Sequence, residues 1–275
     1  MKRTLLALIA LSGAMSCLAQ DSTTREKSDT IKVGGMIIIN DHKDDGKKES
    51  TNVVISKHHK TKSPNLSTNW FIFDFGFANF TDNTNYAAAQ ASGFIAPNVT
   101  PDQFDLRTGK SVNVNIWFFM QRLNMVKHVM NLKYGLGLEL NNYRFEDERL
   151  HIQKNPTYII VDQDWTVVDK NKLAADYVTV PLMVNFNFTP GRENGFGLSA
   201  GVSAGFVYSS RQKIKVDGEK DKIHDDFDLE QWKFSYIGEL NLGPVKLYGS
   251  YAMHNMWQKG LDQTPYNVGI RFSHW

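Results

Sequence analysis

The sequence predicts an all-β protein: a transmembrane antiparallel up-and-down β-barrel of about eight strands, preceded by a short irregular N-terminal extension. Three observations predict it. From residue 68 onward, successive segments alternate apolar residues with small or polar ones. The connections between those segments alternate strictly between long and short. After the first residues, no stretch approaches the ~18–20 apolar residues that a membrane-spanning helix requires. The apolar rows must therefore meet a core or hydrocarbon as strands.

The N-terminus comes first. Met1-Lys2-Arg3, followed by the apolar run Leu5 to Leu11, reads as a secretory signal peptide over residues 1–19, cut after Ala19 to leave Gln20. A cut before Cys17 is the alternative, because Ala14-Met15-Ser16-Cys17 distantly resembles the site of N-terminal lipidation. Cys17 is the only cysteine, so cleavage after Ala19 leaves no disulfide and no thiol chemistry. That cleavage also removes Lys2 and Arg3, leaving 29 bases against 29 acids. A neutral chain lacks the clustered basic excess expected of a nucleic-acid binder.

Residues 20–67 are charged and irregular and are expected to form a periplasmic extension, partly disordered. Two apolar runs within it, Ile31 to Ile39 and Val53 to Ile55, suit a hairpin around Asp45-Gly46.

The barrel, residues 68–275, opens with Phe71, Phe73, Phe75 and Phe77 on one face and Ile72, Asp74, Gly76 and Ala78 on the other. Val112 to Phe118 then alternates with Asn113, Asn115 and Trp117; Met130 to Leu140 alternates with Asn131, Lys133, Gly135, Gly137 and Glu139. Val178 to Phe188 follows, then Phe196 to Phe206 opposite a row of Gly and Ser. Trp232 to Leu242 sets Lys233, Ser235 and Glu239 inward, Val245 to Met253 sets Lys246 and Tyr248 inward, and Tyr266 to Phe272 sets Gly269 and Arg271 inward. Segments of about ten residues are the length that a tilted strand needs to cross a bilayer.

The connections run roughly 29, 8, 29, 7, 19, 2 and 10 residues. Long outer loops and short periplasmic turns, with both termini periplasmic, produce that alternation. The outer loops are then about residues 81–109, 146–174 and 211–229. The short turns carry Pro190-Gly191 with Asn194-Gly195, and Gly243-Pro244.

A lumen of this size is filled by side chains, so charges within it must pair. Asp74, Lys133, Glu139, Glu239, Lys246 and Arg271 are expected to form a lumenal ion-pair network, with Asp74 and Arg271 on strands that meet only if the barrel closes. Solvated charges on an open sheet are the competing explanation. Trp70, Tyr177, Tyr208, Trp232, Tyr236, Tyr266 and Trp275 are expected in interfacial girdles. Gly197, Gly201 and Gly205 are expected to make room for Trp117 or Tyr177. Pro181 predicts a local bulge, since a closed barrel offers no free edge.

The run Tyr177-Val178-Thr179-Val180-Pro181-Leu182-Met183-Val184, the Leu18-Ala19-Gln20 signal ending, the Gly-rich fifth strand and the final Trp275 together resemble the PorT-like outer-membrane barrels of Bacteroidetes, over roughly residues 68–275. The resemblance implies fold and a place in the outer membrane of a Gram-negative cell. It carries no catalytic residues onto this chain, though some members are linked to protein secretion. By the same likeness, Trp275 is expected to serve as the C-terminal assembly signal.

Of chemistry there is little. His58-His59 are adjacent and converge poorly on one metal, and His128, His151, His224 and His254 lack ligand-like neighbours. No metal, cofactor or catalytic residue is expected. The one candidate for a rim-type hydrolase or acyltransferase is His254 with Ser209 or Ser210. The expected function is a non-enzymatic, structural or surface-binding barrel, probed against two alternatives: a secretion or assembly accessory acting through residues 20–67, and the rim enzyme. Expected partners are outer-membrane lipid, the barrel-assembly machinery and a periplasmic or extracellular protein, for a chain acting as a monomer.

Overall fold

The computed structural model describes residues 64–275, except 165–167, 191, 193–194, 217 and 274–275, together with three short N-terminal strands. The chain divides into two units, Met1–Lys62 and Ser63–Trp275. In the first, β1 (Asp29–Val33), β2 (Met36–Asn40) and β3 (Val53–Val54) form an antiparallel sheet. The run expected as one strand is thus two, which pair with each other from Asp29↔Asn40 to Val33↔Met36. Ile38 pairs with Val53, as the expected hairpin requires. The signal segment, Cys17, Asp45-Gly46 and His58-His59 lie outside the described residues.

The second unit is a closed barrel. Its wall consists of β4 (Leu66–Asp82), β5 (Val112–Val126), β6 (Met130–Arg144), β9 (Val168–Asn187), β10 (Phe196–Val216), β12 (Trp232–Leu242), β13 (Val245–Ala252) and β14 (Gln263–Phe272). Each pairs antiparallel with its neighbours; β14 on β4 and β10 on β9 complete the ring of eight strands. Arg271 stands directly opposite Asp74 in the β14–β4 register. Among the described residues of this unit, three strands lie outside the ring: the hairpin β7 (Leu150–Gln153) with β8 (Tyr158–Val161), and β11 (Glu219–His224), which pairs with the projecting end of β10.

Alternation sorts the side chains as the sequence predicts. Phe73, Phe75 and Phe77 are 44–54% exposed on the outer surface while Ile72, Asp74 and Ala78 are at most 1% exposed. An exposed phenylalanine row is costly in water and favourable in hydrocarbon, at roughly 25 cal/mol per Å². The two-residue turn Gly243-Pro244 has Gly243 at φ 73°, which a side chain would strain.

Two local expectations change. Pro181 creates no bulge: its strand keeps one register with β6 on both sides, and the ladder simply lapses opposite Gly135 and Leu136. Its missing N–H falls in that gap. Register shifts sit elsewhere, between Trp117 and Phe119 and between Asn124 and Val126 in the β5–β6 pairing, and between Val207 and Ser209 and between Lys215 and Val216 in the β9–β10 pairing. Tyr177 is no girdle residue, because it shares inward parity with Thr179 and Met183 and is 3% exposed. Trp70, Tyr208, Trp232 and Tyr236 do face outward, at 49–62% exposure. Trp275 lies outside the described residues.

The outer loops also differ from expectation. Much of 146–174 and 211–229 is strand, because β9 and β10 run on past the last lipid-facing residues. Apolar alternation stops there since the outer face has left hydrocarbon, but the inward alternation continues through Asn171, Leu173, Gln212 and Ile214, all buried.

Candidate functional site: lumenal network and outer cap

The inner wall gathers its charges at mid-barrel. Arg271 grips Asp74 through two hydrogen bonds of 2.7 Å, from Nε to Oδ1 and from Nη2 to Oδ2. Its Nη1 donates to Glu239 Oε2 at 2.5 Å, and Lys133 Nζ donates to the other oxygen of Glu239 at 2.6 Å. Asp74 also accepts from Trp117 Nε1 at 2.8 Å and Asn115 Nδ2 at 3.1 Å. All these ionic side chains are at most 5% exposed. Desolvating such charges is offset only when each finds its opposite and spare lone pairs are filled, a condition that Asp74 and Glu239 meet.

Glu139 pairs with Lys233, a residue absent from the expected set. Glu139 also accepts from Asn141 Nδ2 and Asn267 Nδ2, both at 3.1 Å. The Lys233 ammonium lies 5.0 Å from the centre of the Tyr177 ring. Lys233 stands in the same inward row as Ser235 and Glu239, so its parity alone identifies it. Lys246 is the converse: it donates to the Ser273 carbonyl at 2.6 Å and hydroxyl at 2.8 Å, near the end of the last strand, and joins no acid. Five of the six expected residues thus come together, with Lys233 in place of Lys246.

Volume for these groups comes from β10, whose inward positions from Gly197 to Gly205 are Gly or Ser. A Cβ on Gly205 would lie 3.3 Å from Tyr177 Cβ, while one on Gly201 would collide with the β9 backbone at Leu182. Trp117 rests instead against Gly137, where a Cβ would come within 2.7 Å of the indole. A void of about 30 Å³ remains among Glu139, Ser203, Tyr248 and Arg271.

At the long-connection end the loops fold inward into an apolar cap. Helix α1 (Tyr86–Ala91), capped by Asn85 Oδ1 accepting from the Ala88 N–H at 3.1 Å, leads into Phe94, Ile95, Val99 and Phe104, all buried. These meet Leu150, Ile152, Ile159 and Val161 of the β7–β8 hairpin, and Phe227, Leu229, Met256 and Trp257 from the later connections. Phe94 and Trp257 meet edge to face at 5.9 Å, and Trp257 Nε1 donates to Gln263 Oε1 at 2.9 Å. Two fully buried amides fix the hairpin to the wall. Gln212 Oε1 accepts from the Ile152 N–H at 3.0 Å, and Gln212 Nε2 donates to the Leu150 carbonyl at 2.8 Å; Asn171 donates to that carbonyl as well. They satisfy backbone groups that a neighbouring strand would otherwise take. At the rim, burial and the Asp82 carboxylate to which it donates raise the Tyr86 phenol well above its ordinary range.

The rim pairing of His254 with Ser209 or Ser210 does not form. His254 Nδ1 meets the Asn255 carbonyl at 2.9 Å and its ring packs on Phe234. The Ser209 hydroxyl accepts from Arg211, and Ser210 donates to the Asp225 carbonyl. Among the described residues, no group of three or more His, Cys, Asp or Glu is arranged to hold a metal. Open clefts do indent the cap: one of about 540 Å³ between β7 and β11, and one of about 350 Å³ bordered by Asp82, Asp105 and Glu146.

Comparison with known proteins gives one family. The profile described as "Outer membrane protein beta-barrel domain" matches residues 73–256. No curated protein matches the sequence. Among solved structures, Ail, the attachment invasion locus protein of Yersinia pestis, is similar at 10% identity and a TM-score of 0.30, over 74% of this chain and 98% of its own.

Proposed function

Because the chain belongs to the family of outer membrane protein beta-barrel domains and is an integral protein of the outer membrane, we propose that it acts as a sealed, non-enzymatic barrel presenting a structured outer surface for binding. The supporting observation is an occluded lumen. Buried ion pairs span the barrel from Asp74 to Glu239 and from Glu139 to Lys233, and the cap closes the mouth. A void of about 30 Å³ has room for about two or three waters at most, since each needs roughly 10–15 Å³.

Reconstitution of the purified chain in a planar lipid bilayer tests this. No ion-conducting steps are expected from the wild type. Sustained single-channel conductance overturns the sealed-barrel reading.

The finer placement, with the PorT-like barrels of Bacteroidetes, rests on the run Tyr177 to Val184. On that reading the barrel proper begins near residue 68 and residues 20–67 hang in the periplasm. A second reading, a secretion or assembly accessory, draws support from the separate three-stranded sheet of β1 to β3. Photo-crosslinking from residues 40–60 tests it: capture of a specific periplasmic protein favours the accessory role, and silence there favours the outer surface.

A further inference from the structure

We propose that the outer face of the projecting β9–β10–β11 sheet binds the phosphate groups of the outer leaflet's anionic glycolipid. The proposal rests on the orientation above, in which the long-connection end faces outward.

The register carries it. Lys172, Lys213 and Lys222 lie side by side across three strands, and Lys170, Lys215 and Lys220 form the next row. A third row sets Arg211 against His224. These residues occupy the face opposite Leu173, Gln212 and Ile214, which are buried beneath the cap. Strands lie about 4.8 Å apart and alternate residues about 6.7 Å apart, so six ammonium groups crowd an area close to that of one phosphorylated sugar headgroup.

Like charges directly opposite each other weaken a sheet, so the rows do not serve stability. Two acids relieve them: Asp169 pairs with Lys215, and Asp176 pairs with Arg211. Lys172 spends its ammonium on Asn142 Oδ1 at 2.5 Å. Among the described residues, Lys170, Lys213, Lys220 and Lys222 form no salt bridge with an acid.

Height selects the ligand. The lysine face continues the lipid-facing row that ends at Val178, Phe206 and Trp232, with Tyr208 beside it. From Val178 to Lys172 is about 20 Å along the strand, or about 14 Å of height at the usual ~45° tilt. The rows therefore stand in the headgroup and inner-sugar zone of a glycolipid leaflet, just above its hydrocarbon. A soluble polyanion would need no such continuity with the apolar belt.

The full chain in neutral detergent micelles is titrated with diphosphorylated lipid A, with its dephosphorylated form and with pyrophosphate, and bound ligand is counted by native mass spectrometry. Diphosphorylated lipid A is expected to bind at least about tenfold more tightly than either other ligand. K220Q/K222Q, on the strand outside the ring, is expected to lose at least about tenfold in affinity, given that a lysine near an anionic surface contributes roughly fivefold. Its unboiled gel mobility should stay that of the folded barrel. K213Q/K215Q provides a second, independent loss should β11 detach in the first variant. Equal affinity for phosphorylated and dephosphorylated lipid overturns the proposal, as does unchanged affinity in both variants. Pyrophosphate binding as tightly as diphosphorylated lipid A also overturns it, in favour of a soluble anion. Conductance measurements are blind to this site, so its failure is separate from that of the sealed lumen.

Discussion

Replacing Arg271 with Met tests the lumenal network at its most connected point. Arg271 is the only cation bonded to Asp74 among the described residues, and it shares Glu239 with Lys133. Its loss leaves Glu239 a partner but strands Asp74, whose side chain is 0% exposed. Breaking a buried pair from one side costs about 3–5 kcal/mol, chiefly the price of the orphaned charge. The hydrogen bonds from Asn115 and Trp117 soften this, which favours the lower end of that range. Adding Asp74→Asn removes the orphan while keeping its shape and its acceptor for Trp117, so the double variant should regain at least about 1 kcal/mol over the sum of the single changes. The assay is urea unfolding in lipid vesicles, read by the gel shift between unboiled and boiled samples. An Arg271→Met cost below about 1 kcal/mol, or strictly additive effects, would refute the idea that this seam is an enclosed and mutually dependent pair.

Other outcomes follow from depth and packing. Phe75→Arg, halfway along β4 and 54% exposed, should destabilise vesicle-inserted protein by about 2–4 kcal/mol, while Phe188→Arg at the short-turn end should cost at most about 1 kcal/mol; equal costs would contradict a hydrocarbon belt. Trp257→Ala should loosen the cap, at about 3–5 kcal/mol of local packing, so that added protease cuts residues 83–111 while the barrel keeps its folded mobility; uncut loops would contradict it. Lys172 lies beyond the belt, where burial first, and then Lys170, Lys213 and Arg211, push its ammonium down to about 8 from the ordinary 10.5. The folded chain then binds fewer protons than the unfolded one between those values, so the projecting strands gain stability as pH rises through that window. Competitive acetylation should give Lys172 a midpoint near pH 8, and a midpoint above 10 would dismiss the effect.

Period-two alternation is legible wherever one face meets hydrocarbon, so the eight wall strands and their inward rows could be read from residues alone. Closure was legible in the alternating connection lengths and in Asp74 facing Arg271. Other features lack a local signal. Where β9 and β10 leave the bilayer, lysines replace apolar residues on the outer face, and the strands pass for loops. The cap is hydrophobic without periodicity: Phe94 and Ile159 become neighbours through a bond from the Ile159 N–H to the Phe94 carbonyl at 3.0 Å, across a sequence gap that no window spans. Pro181 misled because the β6–β9 ladder lapses for two residue pairs without a change of register, so no extra residue is needed.

The seam between β4 and β14 joins the two ends of the wall. Asp74 belongs to the first wall strand, and its counter-charge is supplied only by the last. A chain cut short before Gln263 would hold that carboxylate at an open edge with no guanidinium to match it. The same bidentate clasp that closes the finished cylinder is thus one that no shorter run of wall strands can make.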